Sequence, residues 1–152
     1  MISIITAARI DTTDKRQWLL EAIESVQAQT LGEWEMIIVD DLSPDFPPLP
    51  DDERIRYFKT TEQKGPALAR NTAVALAEYD AILPLDADDR LADNTTLARM
   101  YDAWAQDKKR VVYGDLQRLE LAEGEWRITK VVNLPQYTFE LSLNLSGIMP
   151  VT

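Results

Sequence analysis

Two short acidic runs carry the densest chemistry in this chain, Asp40-Asp41 and Asp86-Ala87-Asp88-Asp89. Each follows an apolar run, Met36-Ile37-Ile38-Val39 in the first case and Ala81–Leu85 in the second. Carboxylates held this close repel one another unless protons or cations compensate. A divalent cation is the natural compensator. Mg²⁺ and Mn²⁺ prefer oxygen ligands, and Mg²⁺ typically takes one or two carboxylates plus substrate phosphates. The competing reading is architectural, because Asp after a strand also forms turns and caps helices by bonding nearby amides. The clusters gain weight together. In open α/β sheets, ligands bind outside the carboxyl ends of parallel strands. If the two strands are neighbours, as many as five carboxylates share one rim, which points to a nucleotide-type ligand with its phosphates and a metal.

Composition narrows the alternatives. The 152 residues include no His and no Cys. Nucleophilic pairs and zinc sites that need His or Cys, iron–sulfur clusters and disulfides are therefore excluded. With 16 Lys plus Arg against 26 Asp plus Glu, the formal charge is −10. A surface this acidic repels bare nucleic acid and anionic lipid, so neither is an expected partner. Hydrophobic residues make up 45% and charged residues 28%, an ordinary globular composition. The apolar opening Met1–Thr6 is short and lacks a basic lead. No stretch reaches the roughly 18 apolar residues of a membrane span. Together with zero cysteine, this sets the expectation of a cytoplasmic chain without an integral membrane segment.

The elements that must position the acids alternate between strand and helix patterns. Met1–Thr6 reads as a first strand. Asp14, with Gln17 three residues on, is expected to cap a helix whose stripe is Leu19, Ala22, Ile23 and Val26. Met36–Val39 is a strand covered on both faces, and Pro-rich Leu42–Asp52 a loop. Ile55–Phe58 is a further strand. Gly65-Pro66 opens a helix expected to turn Leu68, Thr72, Ala75 and Leu76 inward. After Ala81–Leu85, Asp93 is expected to cap a helix with Leu97, Met100, Tyr101 and Trp104 on its buried stripe. Arg110–Tyr113 is expected as a fifth strand, Gln117–Leu121 and Trp126–Val132 as a hairpin, and Leu143–Val151 as a last apolar run. The order implies an α/β fold, a mostly parallel sheet with helices on both faces plus a C-terminal β-hairpin.

The residue patterns also carry a resemblance. Ser25–Thr30 through Glu35–Asp41, then Gly65-Pro66-Ala67-Leu68-Ala69-Arg70-Asn71, then Leu85-Asp86-Ala87-Asp88-Asp89 follow one another in the order and spacing of family 2 glycosyltransferases. The last two resemble that family's Gly-x-x-x-x-Arg-Asn helix start and Asp-x-Asp metal motif, and the similarity runs from Met1 to about Tyr113. The resemblance implies a GT-A, Rossmann-like fold and an inverting transfer from a nucleotide-diphosphate sugar, such as a UDP-sugar, to a saccharide or other hydroxyl acceptor. It implies nucleotide contacts at Ala7, Ala8, Arg9, Asp41, Lys64, Gly65 and Asp86. It also implies Mn²⁺ or Mg²⁺ at Asp88, with Asp89 as an alternative or second ligand. Asn71 is expected to brace the loop from inside, and Arg70 and Arg90 to be solvated helix-end charges.

The sequence departs from the family in two places. Ala7-Ala8-Arg9-Ile10 stands where the family has Pro-Thr-Tyr-Asn. The acceptor-side acid that would serve as the inverting base has no motif-matched counterpart, so Asp115 and Glu140 are the weak candidates within the chain. The expectation is one nucleotide-sugar-binding domain over residues 1–152, truncated before the acceptor-binding part. A non-catalytic nucleotide- or partner-binding module is the alternative. Partners would then be the rest of a larger enzyme or a second copy, covering an exposed strand at Ser142–Thr152. A phosphoacceptor receiver domain also gathers Asp at strand ends. It needs a Lys after the last parallel strand, and Val111–Asp115 offers none.

Overall fold

The structure is a computed structural model that describes residues 1–108, 111–123 and 125–132. It divides into two compact units, Met1–Val112 and a second beginning at Tyr113.

The first unit is built on four parallel strands: β1 (Ile2–Ala8), β2 (Trp34–Asp40), β3 (Ile55–Lys59) and β4 (Ala81–Pro84). Their spatial order is β3-β2-β1-β4. The chain therefore lays strands outward from β1 on one side and returns to place β4 on the other. The junction between β1 and β4 is the point where such sheets form a ligand crevice.

Side-chain alternation along the strands selects the helices. Ile2, Ile4 and Ala8 of β1 and Trp34, Met36 and Ile38 of β2 face one side. There they meet Leu19, Ile23 and Val26 of α1 (Thr13–Gln27) and Leu97 of α3 (Thr96–Gln106). Ile5, Ile37 and Val39 face the other side and meet Ala69 and Ala73 of α2 (Pro66–Leu76). Both faces of β2 are buried, as its uninterrupted apolar run requires. Each of these fully buried Ile or Leu side chains contributes about 1.5–3 kcal/mol by leaving water.

Several expectations need correction. The first helix is capped by Thr12, whose hydroxyl accepts from the Lys15 amide, and not by Asp14. α2 is rotated: Leu68, Thr72 and Ala75 face solvent, while Ala69 and Ala73 face the sheet. Alanine wins these positions because it lets the helix backbone approach the strands closely. α3 begins at Thr96, with Asp93 three residues upstream accepting from the Thr95 amide. The Leu97 amide donates instead to Oε1 of buried Gln29, at 2.9 Å. Residues 111–115 form neither helix nor strand, so no fifth parallel strand stands there, and Arg110 lies outside the described residues.

The second unit contains the expected hairpin, β5 (Leu116–Ala122) paired antiparallel with β6 (Glu125–Val132). Glu140 and the run Leu143–Val151 lie outside the described residues.

Candidate active site

The site is assembled by chain segments leaving the carboxyl ends of β1, β2 and β4. At the end of β4, the Asp89 amide donates to the Asp86 carbonyl at 3.0 Å, closing a tight turn over Ala87 and Asp88. The turn is fixed to β1, because the Leu85 amide donates to the Ile5 carbonyl and the Thr6 hydroxyl donates to the Leu85 carbonyl at 2.8 Å. Arg70, one turn into α2, holds Asp86 through Nη2 at 2.6 Å. The neighbourhood raises Asp89 above its ordinary carboxylate value, first by burial and then by the negative charges of Asp88 and Asp86.

The two acids after β2 diverge. Asp40 is fully buried; its Oδ1 accepts from the Ser43 amide at 2.7 Å and its Oδ2 from the Tyr57 hydroxyl at 2.8 Å. Asp41 is also buried, and its two oxygens accept from the Lys64 and Gly65 amides at 2.7 and 2.9 Å. That clamp holds the loop entering α2, where Gly65 sits at φ +82°, a conformation that favours glycine. Arg9, just past β1, donates to the Asp41 carbonyl at 3.0 Å and so ties the β1 and β2 loops together.

Between β1, α1, α2 and the acidic turn lies a cavity of about 210 Å³. Ala7, Arg9, Ile10, Lys15, Trp18, Arg70, Asp86, Ala87 and Asp88 line it. Three cations thus face two carboxylates. Lys15 reaches it from the first turn of α1 while pairing with Asp11 at 2.8 Å, a contact that holds the Asp11 carboxyl below its usual range. Trp18 stands three residues further on, on the same helix face. A cavity with an acidic turn on one side and cations around the rest is suited to a phosphate-bearing ligand with a metal ion.

The pattern of Glycosyl transferase family 2 matches residues 3–151. The chain belongs to that family. Over 89 residues it is 36% identical to WcaA of Escherichia coli (strain K12), a protein named for colanic acid biosynthesis, covering 55% of this chain and 32% of WcaA. It is 42% identical over 72 residues to the UDP-Glc:alpha-D-GlcNAc-diphosphoundecaprenol beta-1,3-glucosyltransferase WfgD of Escherichia coli, covering 45% of this chain and 28% of WfgD. These matches thus span about a third of the relatives' length. Among solved structures, TarS residues 1–349 of S. aureus in complex with UDP-GlcNAc aligns with TM-score 0.58 at 20% identity, covering 70% of this chain and 32% of that one. The mannosyltransferase PcManGT of Pyrobaculum calidifontis, in complex with GDP-Man and Mn²⁺, aligns with TM-score 0.59 at 19% identity, covering 77% of this chain and 35% of that one. Both share the GT-A-like fold.

Within this family 2 chain, four of the expected site residues come together on the cavity wall: Ala7, Arg9, Asp86 and Asp88. Ala8 packs in the core and contributes its carbonyl to the Asp41 amide at 2.8 Å. Asp41, Lys64 and Gly65 form the neighbouring clamp, and Asp89 follows the acidic turn. Asp115 lies in the second unit.

Five acids do not share one rim: β1 separates β2 from β4, and Asp40 is turned into the interior. Among the described residues, no three His, Cys, Asp or Glu side chains converge as a ready metal cage. Arg70 and Arg90 are not merely solvated, since Arg70 grips Asp86 and Arg90 pairs with Glu21 at 2.9 Å. Asn71 is exposed on α2 rather than bracing the loop from inside. Sequence reasoning missed Lys15, Trp18 and Ile10. The first two carry a signal in their three-residue spacing on one helix face, but Ile10 carries none.

Proposed function

We propose that this chain binds the donor of an inverting glycosyl transfer, a nucleotide-diphosphate sugar, in the cavity at the carboxyl ends of β1 and β4. The observation that carries the reading is the cavity wall itself. Asp86 and Asp88 face Arg9, Lys15 and Arg70 at the junction where strand order reverses. The UDP-Glc in the name of WfgD and the UDP-GlcNAc bound to TarS favour a UDP-sugar as donor.

The donor set fits a metal completed by substrate. Asp88, with Asp89 beside it, would hold Mn²⁺ or Mg²⁺, ions that take one or two carboxylates and fill the remaining positions with phosphate oxygens and water. When bound, such an ion supplies positive charge to the diphosphate leaving group. The protein's own side chains do the rest. Arg70 orients Asp86 toward the donor. Asp41 holds the Lys64-Gly65 loop that would frame the nucleotide, and Arg9 ties the segment carrying Asp41 to the end of β1. Trp18 and Ile10 exclude water along one wall. Inverting transfer also requires a base to take the acceptor proton, for which the sequence offers Asp115 or Glu140.

Calorimetric titration of UDP with Mn²⁺ tests this reading. Wild type is expected to bind UDP more tightly with the metal than without it, and Asp88→Ala to weaken the metal-dependent binding by about tenfold or more. Metal-dependent binding unchanged in Asp88→Ala would overturn the role given to Asp88. A second reading, a nucleotide-binding module that does not itself transfer sugar, has one observation in its favour. Among the described residues, the acids lining the cavity are Asp86 and Asp88, both assigned to the donor. Acceptor-dependent release of UDP from UDP-glucose would reject it.

A further inference from the structure

The three cations of the cavity differ in what already holds them. Arg9 donates to the Asp41 and Leu42 carbonyls, at 3.0 and 3.4 Å. Arg70 is closed on Asp86 at 2.6 Å. Both bonds fasten segments on which the cavity depends, so each guanidinium can offer a ligand only the donors that those bonds leave over. Lys15 is different. Its partner Asp11 lies four residues back on an irregular segment, outside the cavity wall, and both side chains keep about two fifths of their surface in water. An exposed pair of this kind contributes little to stability, so exchanging it for another anion costs little. The ammonium rides on a flexible four-carbon stem and offers three donors that can be redirected. It also stands at the first turn of α1, where the helix dipole adds to the attraction for anions.

Resting on the donor reading above, we propose that Lys15 is a diphosphate-binding residue released from Asp11 on nucleotide binding. Asp11, beside the cavity, acts as a stand-in anion for Lys15. The arriving diphosphate replaces it, and the Asp11 carboxylate returns to water. The exchange gives the site a cation, carried by α1, that is independent of the metal. Its signature is a pair of opposite effects. Removing Lys15 weakens nucleotide binding, and removing the charge of Asp11 strengthens it.

The test is calorimetric titration of UDP, and of GDP in parallel, with Mn²⁺ and again with EDTA in its place. It uses wild type, Lys15→Met, Lys15→Arg and Asp11→Asn, each checked for an unchanged thermal melt. Lys15→Met is expected to weaken binding about fivefold to tenfold, Lys15→Arg to restore most of it, and Asp11→Asn to strengthen it about twofold. The Lys15→Met loss should persist with EDTA wherever binding is measurable. Wild-type affinity in Lys15→Met, or weaker binding in Asp11→Asn, overturns the inference while leaving the donor reading intact. Failure of wild type to bind either nucleotide with Mn²⁺ overturns both.

Discussion

Asp40 and Asp88 look alike in the sequence, each an aspartate in an acidic run just past an apolar strand, yet they do opposite work. Asp40 has no exposed surface and satisfies the Ser43 amide and the Tyr57 hydroxyl. Asp88 is exposed on the cavity wall. In urea unfolding, Asp40→Ala is expected to cost about 2–4 kcal/mol, because it strands two donors. Asp88→Ala should stay within about 0.5 kcal/mol of wild type, and a cost near that of Asp40→Ala would contradict this division. Tyr57 reports on the same buried acid. Loss of solvent, then its hydrogen bond to Asp40 and that residue's negative charge, push its phenol up to about 12. The folded value lies above the ordinary one, so this contribution to stability is complete below pH 10 and is lost as pH rises through about 12. Phenolate absorbance should show one late-titrating tyrosine that disappears in Tyr57→Phe and moves earlier in Asp40→Asn. The sequence could show that both runs end strands. Which acid turns inward depends on a tyrosine seventeen residues away, and local reading has no access to that.

At the scale of elements, the alternation of strands and helices, the two-sided cover of the sheet and the hairpin were legible, because period and apolar runs report them directly, whereas the spatial order that sets β1 between β2 and β4 was not. Neither was the rotation of α2. A hydrophobic stripe favours Leu68, whereas close approach to the sheet demands Ala69 and Ala73, with Leu76 packed beside them, a packing requirement set by partners distant in sequence. Ala73→Leu is therefore expected to lower stability by about 1–3 kcal/mol through overpacking against Ile5, Ile37 and Val39. Leu68→Ala, at a side chain 50% exposed, should change it by less than about 0.5 kcal/mol. Thermal melts of the two variants decide between the observed rotation and the one the sequence favours, since the reverse ranking belongs to the latter. Cavity residues were legible where they lie at or just past strand ends, as Ala7, Arg9, Asp86 and Asp88 do. Lys15 and Trp18 escaped because they enter from a helix whose other face supplies the core.

For the first unit as a whole, what holds the sheet together is separated from what the cavity does. The separation is about 13 Å, four residues along β1 from Ser3 to Ala7. At the amino ends of the strands, buried Glu35 accepts from the Ser3 hydroxyl, the Glu78 amide and the Arg56 guanidinium, each at 2.7 Å. Arg56 also donates to the Leu76 carbonyl at the end of α2. One carboxylate thereby joins β1, β2, β3 and the segment leaving α2. Burial alone would raise its pKa, but the Ser3, Glu78 and Arg56 bonds outweigh it and hold the group below its ordinary 4.5. A lowered folded value means that the stabilisation is present above pH 4.5 and is lost as pH falls through the folded pKa. Glu35→Gln keeps the shape and removes the charge. With Arg56 about a third exposed, the expected cost at neutral pH is about 1–2 kcal/mol. That difference should shrink steadily as the medium is acidified below pH 4.5, where wild type loses the same charge. Because the network sits at the far end of the strands from the Asp86–Asp89 turn, UDP affinity with Mn²⁺ should be unchanged in Glu35→Gln. Denaturant melts across an acid series, paired with calorimetry at neutral pH, check both halves. A stability gap that persists in acid would place the stabilisation in packing and not in charge. A loss of nucleotide affinity would mean that the two ends of the sheet are coupled.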